Sequence, residues 1–377
     1  MTGLLKETFA EEAEAIGDPN LDLDAIVAIG NRRIKRRRLA VLITAVAAGA
    51  AMVAGGVTVV QQLGGGSEAP VVSAELGFKE RRPSWADGNE IHFGSEVLRV
   101  RSAISSFVQT DVGFAYAGAD GSVYRVVGRG TQLIGKGNNT HLLAVDPDRA
   151  LVGWVDATPK VPEFVLYDLA GDREVARTAT GNKAGAATAD VPVRVAAIDD
   201  GVAYFGASDG LRRWTIATGK SELIKPKAAP TFVQAADAGQ IVWEHTAAGK
   251  DTELAIGPDV NAPAVQHIAG WRGNLSPQAR YLLTDKADVV RLANLQTGHT
   301  ATVTIPDYQL IVPTQWQGTN TFYAAGFRPE ESAPLDLLTC TITPDNTTTC
   351  KVAVPHFAPP ITNNSTTQFP VGVPIQQ

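Results

Sequence analysis

Cysteine and histidine, the residues that most often build metal and redox sites, are scarce in this sequence. Cysteine occurs twice and histidine six times in 377 residues. No H-E-x-x-H or similar pair is present, so the sequence predicts no metal site, no cofactor and no catalytic residues. Any site built from histidine would have to be assembled by the fold. The six are His92, His141, His245, His267, His299 and His356.

Charged side chains are absent from residues 39–60, a run of 22. As a helix this run is about 33 Å long, enough to cross a hydrocarbon core of about 30 Å. Six cations directly precede it, whereas residues 61–70 contain none. The positive-inside rule therefore predicts a single-pass membrane protein with a cytoplasmic N-terminus and an extracytoplasmic C-terminal part. The cations are Arg32, Arg33, Lys35, Arg36, Arg37 and Arg38.

Two other interpretations of this run fit less well. A cleaved secretory signal has an apolar core of about 7–15 residues behind a short leader, whereas 38 residues precede this longer run. A buried core helix would need apolar neighbours, and no other segment is apolar enough to surround it. No cysteine closely follows the run, which excludes lipoprotein processing.

Residues 1–38 carry seven bases and seven acids and contain a short amphipathic helical pattern. Leu5, Phe9 and Ile16 lie near one helical face, with acids opposite. Helices this short are marginal alone, so the pattern predicts a segment that orders on a cytoplasmic partner. A disordered cytoplasmic tail is the alternative.

The remaining residues carry 26 bases and 32 acids. This mildly acidic balance offers no surface that would follow phosphates, so we expect no nucleic-acid partner. Residues 61–79 are rich in glycine and polar residues, which is typical of a linker.

Short apolar, β-branched and aromatic runs punctuated by Gly, Asp and Pro predict an all-β domain over residues 80–356. Similar turn-and-strand signals begin 35, 53, 38, 39 and 40 residues apart, and the longest interval contains an insertion near residues 181–190. A period near forty is typical of four-stranded propeller blades. Adding EIHFG and EVLRV, we predict a β-propeller of six or seven blades; a two-domain β-sandwich would not explain the period. The signals begin at Asp111, Asp146, Asp199, Asp237, Ser276 and Trp316.

The two cysteines lie in LLTCTITPDNTTTCKVAV. A turn centred on residues 344–346 places Cys340 opposite Cys350 in a hairpin, which predicts a disulfide. A metal site would need further ligands nearby. The final residues, 357–377, are rich in proline and polar residues and are expected to be disordered or to face the cell wall.

Two motifs resemble catalytic or nucleotide-binding patterns but lack the required context. GASDG at 206–210 matches G-x-S-x-G, yet strands rather than a strand and a helix flank Ser208. GTQLIGKG at 130–137 nearly matches a phosphate-binding loop, but Gly137 replaces Ser or Thr. We interpret both as hairpin turns.

The turns in GADGSVYRV and GASDGLRRWTIATGK resemble those of WD40-like, TolB-like and quinoprotein-like propellers. The order of an N-terminal helical segment, a span and a propeller is similar to that of a family of actinobacterial membrane proteins. Some relatives in that family are thought to regulate sigma factors, which implies signalling. We therefore expect a membrane-anchored binding or sensing module that is not an enzyme. Its expected partners are the lipid bilayer, an envelope ligand and a cytoplasmic protein; an extracytoplasmic enzyme or a structural envelope protein are the alternatives.

Overall fold

The computed structural model describes residues 76–138, 140–179, 194–207, 209–226, 232–245, 253–270, 272–330, 332–360 and 367–372. Within these ranges the strands form seven antiparallel sheets, the first with three strands and the other six with four each. No helix in the described part of the chain is long and apolar enough to span a membrane. The predicted span and N-terminal segment, residues 1–60, lie outside the described residues.

The strands follow the sheets in chain order, and we number the sheets as blades 1 to 7. Blade 1 contains β1 (Ser84–Asp87), β2 (Glu90–Phe93) and β3 (Glu96–Arg99); blade 2 contains β4 (Ile104–Thr110), β5 (Gly113–Gly118), β6 (Ser122–Val127) and β7 (Gly130–Lys136). Blade 3 contains β8 (Ala144–Asp146), β9 (Leu151–Asp156), β10 (Glu163–Asp168) and β11 (Arg173–Ala179); blade 4 contains β12 (Arg194–Asp199), β13 (Val202–Ala207), β14 (Gly210–Thr215) and β15 (Lys220–Pro226).

The last three blades repeat the same arrangement. Blade 5 contains β16 (Val233–Asp237), β17 (Gln240–His245), β18 (Glu253–Gly257) and β19 (Gln266–Ala269). Blade 6 contains β20 (Arg272–Leu275), β21 (Tyr281–Lys286), β22 (Val289–Asn294) and β23 (Thr300–Thr302); blade 7 contains β24 (Leu310–Gly318), β25 (Thr321–Phe327), β26 (Leu335–Ile342) and β27 (Thr348–Ala358). Short 3₁₀ turns occur at Phe78–Glu80, Ile216–Thr218 and Pro277–Ala279.

The hydrophobic core consists of clusters between neighbouring blades, because side chains alternate between the two faces of each strand. Each of the seven clusters in the described residues combines side chains from two adjacent blades. One of them joins Trp85 of blade 1 to Tyr323 and Leu337 of blade 7. Since the last blade packs on the first, the sheets form a closed seven-bladed propeller.

The repeat predicted from the sequence corresponds to one hairpin in each blade. Asp146, Asp199 and Asp237 each end the first strand of blades 3, 4 and 5, and the other signals mark the same hairpin in blades 2, 6 and 7. EIHFG and EVLRV form β2 and β3 of blade 1, as predicted. The structure therefore confirms the propeller and fixes the blade number at seven. We call the side with these hairpins the first-turn face.

Blade 1 lacks a first strand from the N-terminal part of the chain. Its β1–β2 turn lies beside the start of β4, where Ile104 N–H donates to Gly88 O (2.8 Å), and the β5–β6 turn lies beside the same connection through Ala119 N–H and Ala103 O (3.0 Å). Because the two turns occupy the same face, β1 corresponds to the second strand of blade 2.

The missing inner position of blade 1 is filled from the C-terminus. Gln368 pairs with Ala86 in an antiparallel bridge, and Thr367, Gln368 and Phe369 are buried. The disorder expected for 357–377 is therefore wrong for residues 367–372, because backbone pairing and apolar burial hold this short segment against the ring. β27 likewise extends to Ala358.

Candidate functional site

Three carboxylates occupy equivalent positions on the first-turn face. Asp199 Oδ2 accepts the backbone N–H of Gly239 in the next blade (2.9 Å), and Asp237 Oδ1 accepts the N–H of Gln278 in the blade after that (2.9 Å). Asp146 instead accepts the N–H of Arg149 within its own turn (3.2 Å). Asp199 and Asp237 thus tie successive blades together at their inner ends.

Burial, together with neighbouring carboxylates, raises the pKa values of Asp237 and Asp146. Burial is the main reason that the pKa of Asp237 rises to about 6, and the charges of Asp199, Asp148 and Asp146 add to the effect. Burial also raises the pKa of Asp146, with a further contribution from Asp148 and Asp199. A like-charged cluster with one carboxyl titrating near neutrality is therefore held at the inner end of blades 3 to 5.

Residues 76–83, which we call the lead-in segment, join the N-terminal part of the chain to this same face. Phe78 is buried in the cluster between blades 1 and 2, and its carbonyl accepts a hydrogen bond from Gln109 Nε2 (3.1 Å). Arg81 forms an ion pair with Asp148 and lies 3.6 Å from Asp111. The lead-in segment is thus fixed to the ring by packing and by charge.

Blade 7 carries a cleft of about 320 Å³, a volume at the lower end of ligand pockets. It lies between the outer strands β26 and β27 and the connection from blade 6. Its apolar side is formed by Ile305, Pro306, Leu338, Val352 and the disulfide-bonded Cys350. Its polar side is formed by Asp307, Tyr308, Arg328 and Lys351.

A fully buried carboxylate organises the polar side of this cleft. Asp336 Oδ2 accepts hydrogen bonds from Tyr308 OH (2.9 Å) and from Arg328 Nη2 (2.7 Å), and Asp336 Oδ1 accepts the backbone N–H of His356 (2.8 Å). Burial acts to raise the pKa of Asp336, but these hydrogen bonds outweigh it and hold the pKa below its ordinary value. Arg328 also lies over the ring of Tyr308, 5.4 Å from its centroid.

This network fixes the side chains of Tyr308 and Arg328, so the cleft has one polar wall and one apolar wall. Burial, followed by the hydrogen bond to Asp336, raises the pKa of Tyr308 to about 12, so its hydroxyl stays protonated as a donor. The neighbouring cation Lys351 is exposed on β27. The polar side also contains the acid Asp307, and Arg328 is already paired with Asp336. Lys351 is therefore the cation available to an anionic group whose short apolar part contacts the aliphatic side chains.

The structure describes only some of the residues singled out from the sequence. Cys340 and Cys350 are opposite one another in the β26–β27 hairpin and form the predicted disulfide. Leu5, Phe9 and Ile16 lie outside the described residues, as does Ser208 of the G-x-S-x-G pattern.

The interpretation of residues 130–137 as a hairpin turn is wrong for 130–136, which form strand β7, because the β6–β7 turn lies just before them at residues 128–129. Among the described residues no group of three or more His, Cys, Asp or Glu side chains is placed to hold a metal ion. His245 and His267 do approach each other, with ring centroids 5.0 Å apart on blade 5.

Sequence reasoning missed the Asp336 network. Tyr308 and Arg328 lie in two connections, and Asp336 and His356 lie in two strands. Tyr308 is 28 residues before Asp336, and His356 is 20 residues after it. No local spacing predicts such a network. The nearest signal is the aspartate itself, which interrupts the otherwise apolar run LDLL in β26.

The sheet order and the inter-blade clusters define the class of this protein as a closed, seven-bladed β-propeller. No known family model matches the chain, and no curated protein matches it significantly. Among solved structures it is similar to TolB from Acinetobacter baumannii, with 14% identity and a TM-score of 0.41, covering 58% of this chain and 62% of that one. This chain thus spans less than two thirds of the TolB chain.

Two other solved structures are similar at the same distant level. A chain of the mitotic checkpoint complex has 13% identity and a TM-score of 0.48, covering 81% of this chain and 91% of that one. A chain of hydrazine synthase from Kuenenia stuttgartiensis has 12% identity and a TM-score of 0.42, covering 66% and 79%. These likenesses concern the fold alone.

Proposed function

We propose that this protein is a membrane-anchored, extracytoplasmic binding module that senses a ligand and signals to a cytoplasmic protein. The predicted span at 39–60 is the anchor, the propeller is the binding part, and residues 1–38 are the output. The observation that carries the proposal is the packed lead-in segment. Phe78, at the end of the predicted linker, and Arg81, just after it, fix the chain directly onto the first-turn face.

The cleft of blade 7 is the proposed ligand site. Its volume and its mixture of aliphatic and cationic side chains suit a small amphipathic carboxylate. About 320 Å³ corresponds to roughly ten water volumes, which is close to the ten non-hydrogen atoms of octanoate. Arg328 holds its position through Asp336, so that Lys351 is the cation that can be changed without disturbing the network.

Binding can be tested by titrating the purified protein with octanoate and with octanol as the uncharged control. We expect octanoate to bind and octanol to bind at least about tenfold more weakly, since a charge-assisted contact contributes about 1.5–3 kcal/mol. Lys351→Glu should abolish the preference for the carboxylate. Lys220→Glu, at an exposed position on blade 4, is the matched control and should leave it unchanged. Equal affinity for octanoate and octanol would contradict the proposed ligand class.

The output is proposed to be the face formed by Leu5, Phe9 and Ile16, which docks a cytoplasmic protein such as a sigma factor. Replacing both Leu5 and Phe9 by Asp should abolish crosslinking of that partner to the protein in intact membranes, while membrane insertion persists. Lys6→Ala is the control, since it keeps the apolar face. If the double variant crosslinks the same partner as the parent, residues 1–38 are only a leader for the anchor.

A further inference from the structure

The six residues 367–372 contact three blades through backbone hydrogen bonds. Gln368 and Ala86 exchange two of them, with N–O distances of 2.8 and 2.9 Å. Gly372 N–H donates to Phe107 O of blade 2 (2.9 Å), and Gly372 O accepts from Leu143 N–H just before blade 3 (2.8 Å). Very few residues therefore supply four hydrogen bonds that span the inner edges of blades 1, 2 and 3.

The side chain of Phe369 gives this segment its apolar anchor. Phe369 is 5% exposed and belongs to the cluster that joins blade 7 to blade 1, together with Trp85 and Tyr323. Its ring centroid lies 6.0 Å from that of Phe357. A buried aromatic ring of this kind is typical of the residue that dominates the affinity of a short peptide.

The backbone after Phe369 follows a path that few sequences can adopt. Val371 N–H donates to Phe369 O across Pro370 (2.8 Å), which is a tight turn. Gly372 has φ +70°, and a Cβ at this position would lie 2.1 Å from Leu143 O. The groove therefore accepts an aromatic residue, a proline turn and then a glycine at fixed spacing.

We propose that this groove is a peptide-binding site, formed by the inner edge of β1 and the adjoining blades, that accepts the C-terminal segment of a second copy as well as its own. Without residues 367–369 the inner edge of β1 is unpaired, although Ala86 itself is fully buried. An unpaired strand edge binds an extended peptide by strand addition. All the contacts described above are made by six consecutive residues, 367–372. The same segment of another chain can therefore make all of them in the same groove.

The test uses the full chain with residues 361–366 replaced by a protease recognition sequence, folded intact and cut afterwards. A fluorescent peptide with the sequence of residues 365–377 is then added and its anisotropy is measured. We expect the cut protein to exchange its own segment for one labelled peptide per chain, and the uncut protein to bind the peptide far more weakly. Native mass spectrometry gives the stoichiometry.

Variant peptides separate specific binding from adhesion. The Phe369→Ala peptide should bind at least about thirtyfold more weakly, because removing a buried ring is costly. The Gly372→Ala peptide should also lose affinity, because its Cβ meets Leu143 O. The Val371→Ala peptide is the matched control, since Val371 is 40% exposed, and it should bind like the parent peptide.

Two results would overturn the proposal. The first is a cut protein that keeps its own fragment and never exchanges it for excess labelled peptide at any temperature below unfolding. The second is equal binding of the parent and Phe369→Ala peptides. The peptide assay measures neither octanoate binding nor a cytoplasmic partner, so its failure leaves the proposed function standing. Failure of the octanoate or crosslinking experiment likewise leaves the peptide-binding proposal standing.

Discussion

Replacing Asp237 by Asn should stabilise the propeller at pH 8 and leave its stability near pH 4 almost unchanged. In the folded protein burial and neighbouring carboxylates raise the pKa of Asp237 from 3.8 to about 6. The folded state therefore binds more protons than the unfolded chain between these values, and stability falls as the pH rises through this window. At pH values above this window the folded parent protein contains the ionised, half-buried Asp237 carboxylate, which lowers its stability. The Asn variant has no charge at this position and avoids this cost.

The size of this effect follows from the pKa shift. A shift of about two units corresponds to about 3 kcal/mol at most, and partial exposure of the side chain reduces this to roughly 1–2 kcal/mol through solvent screening. For a domain of this size such a gain raises the Tm by about 2–8 °C. The Asn side chain keeps an oxygen that can accept the N–H of Gln278, so the contact with the next blade is retained.

Thermal unfolding of parent and variant at pH 4, 6 and 8 is the appropriate assay. Asp200→Asn is the matched control, because Asp200 lies in a neighbouring turn but is exposed and makes a surface ion pair with Arg149. It should change the free energy of unfolding by less than about 0.5 kcal/mol at each pH. A uniform destabilisation by Asp237→Asn at all three pH values would refute the reasoning, because the ionised carboxylate would then be a net stabilising contact.

Two further predictions concern blade 7. Replacing both Cys340 and Cys350 by Ser should lower the free energy of unfolding by about 2–3 kcal/mol, since the disulfide closes a short loop in the unfolded chain; an unchanged denaturation midpoint without reductant would contradict this. Tyr308→Phe should cost about 1–2 kcal/mol in the same assay, because Asp336 is fully buried and loses one donor; a neutral or stabilising effect would show that Arg328 and His356 satisfy Asp336 without it.

The propeller could be predicted because its signals are local. Each hairpin at the first-turn face ends its inner strand with a turn-forming residue, so Asp111, Asp146, Asp199 and Asp237 mark successive blades in the sequence. The disulfide was predictable for the same reason, since Cys340 and Cys350 are paired within one hairpin. Patterns of this kind are visible within a few residues of the chain.

Neither the pairing that completes blade 1 nor the cleft of blade 7 could be predicted, because both depend on residues that are far apart in the sequence. Gln368 pairs with Ala86, which is 282 positions earlier (368 minus 86), and no periodicity connects them. The composition of the C-terminal part favours disorder, whereas six residues within it meet an unpaired strand edge and are ordered by that contact. The polar side of the cleft likewise depends on Asp336 meeting Tyr308 across a sheet.

The account as a whole depends on the propeller lying on the extracytoplasmic side of the membrane while residues 1–38 lie in the cytoplasm. The most direct measurement is protease treatment of intact spheroplasts that carry the full chain with one protease site inserted between residues 64 and 66. We expect the propeller to be released into the medium, with its disulfide formed, while the N-terminal fragment stays in the membrane with residues 1–38 protected until lysis. Release of the propeller only after lysis would contradict the predicted orientation and with it the proposed sensing role.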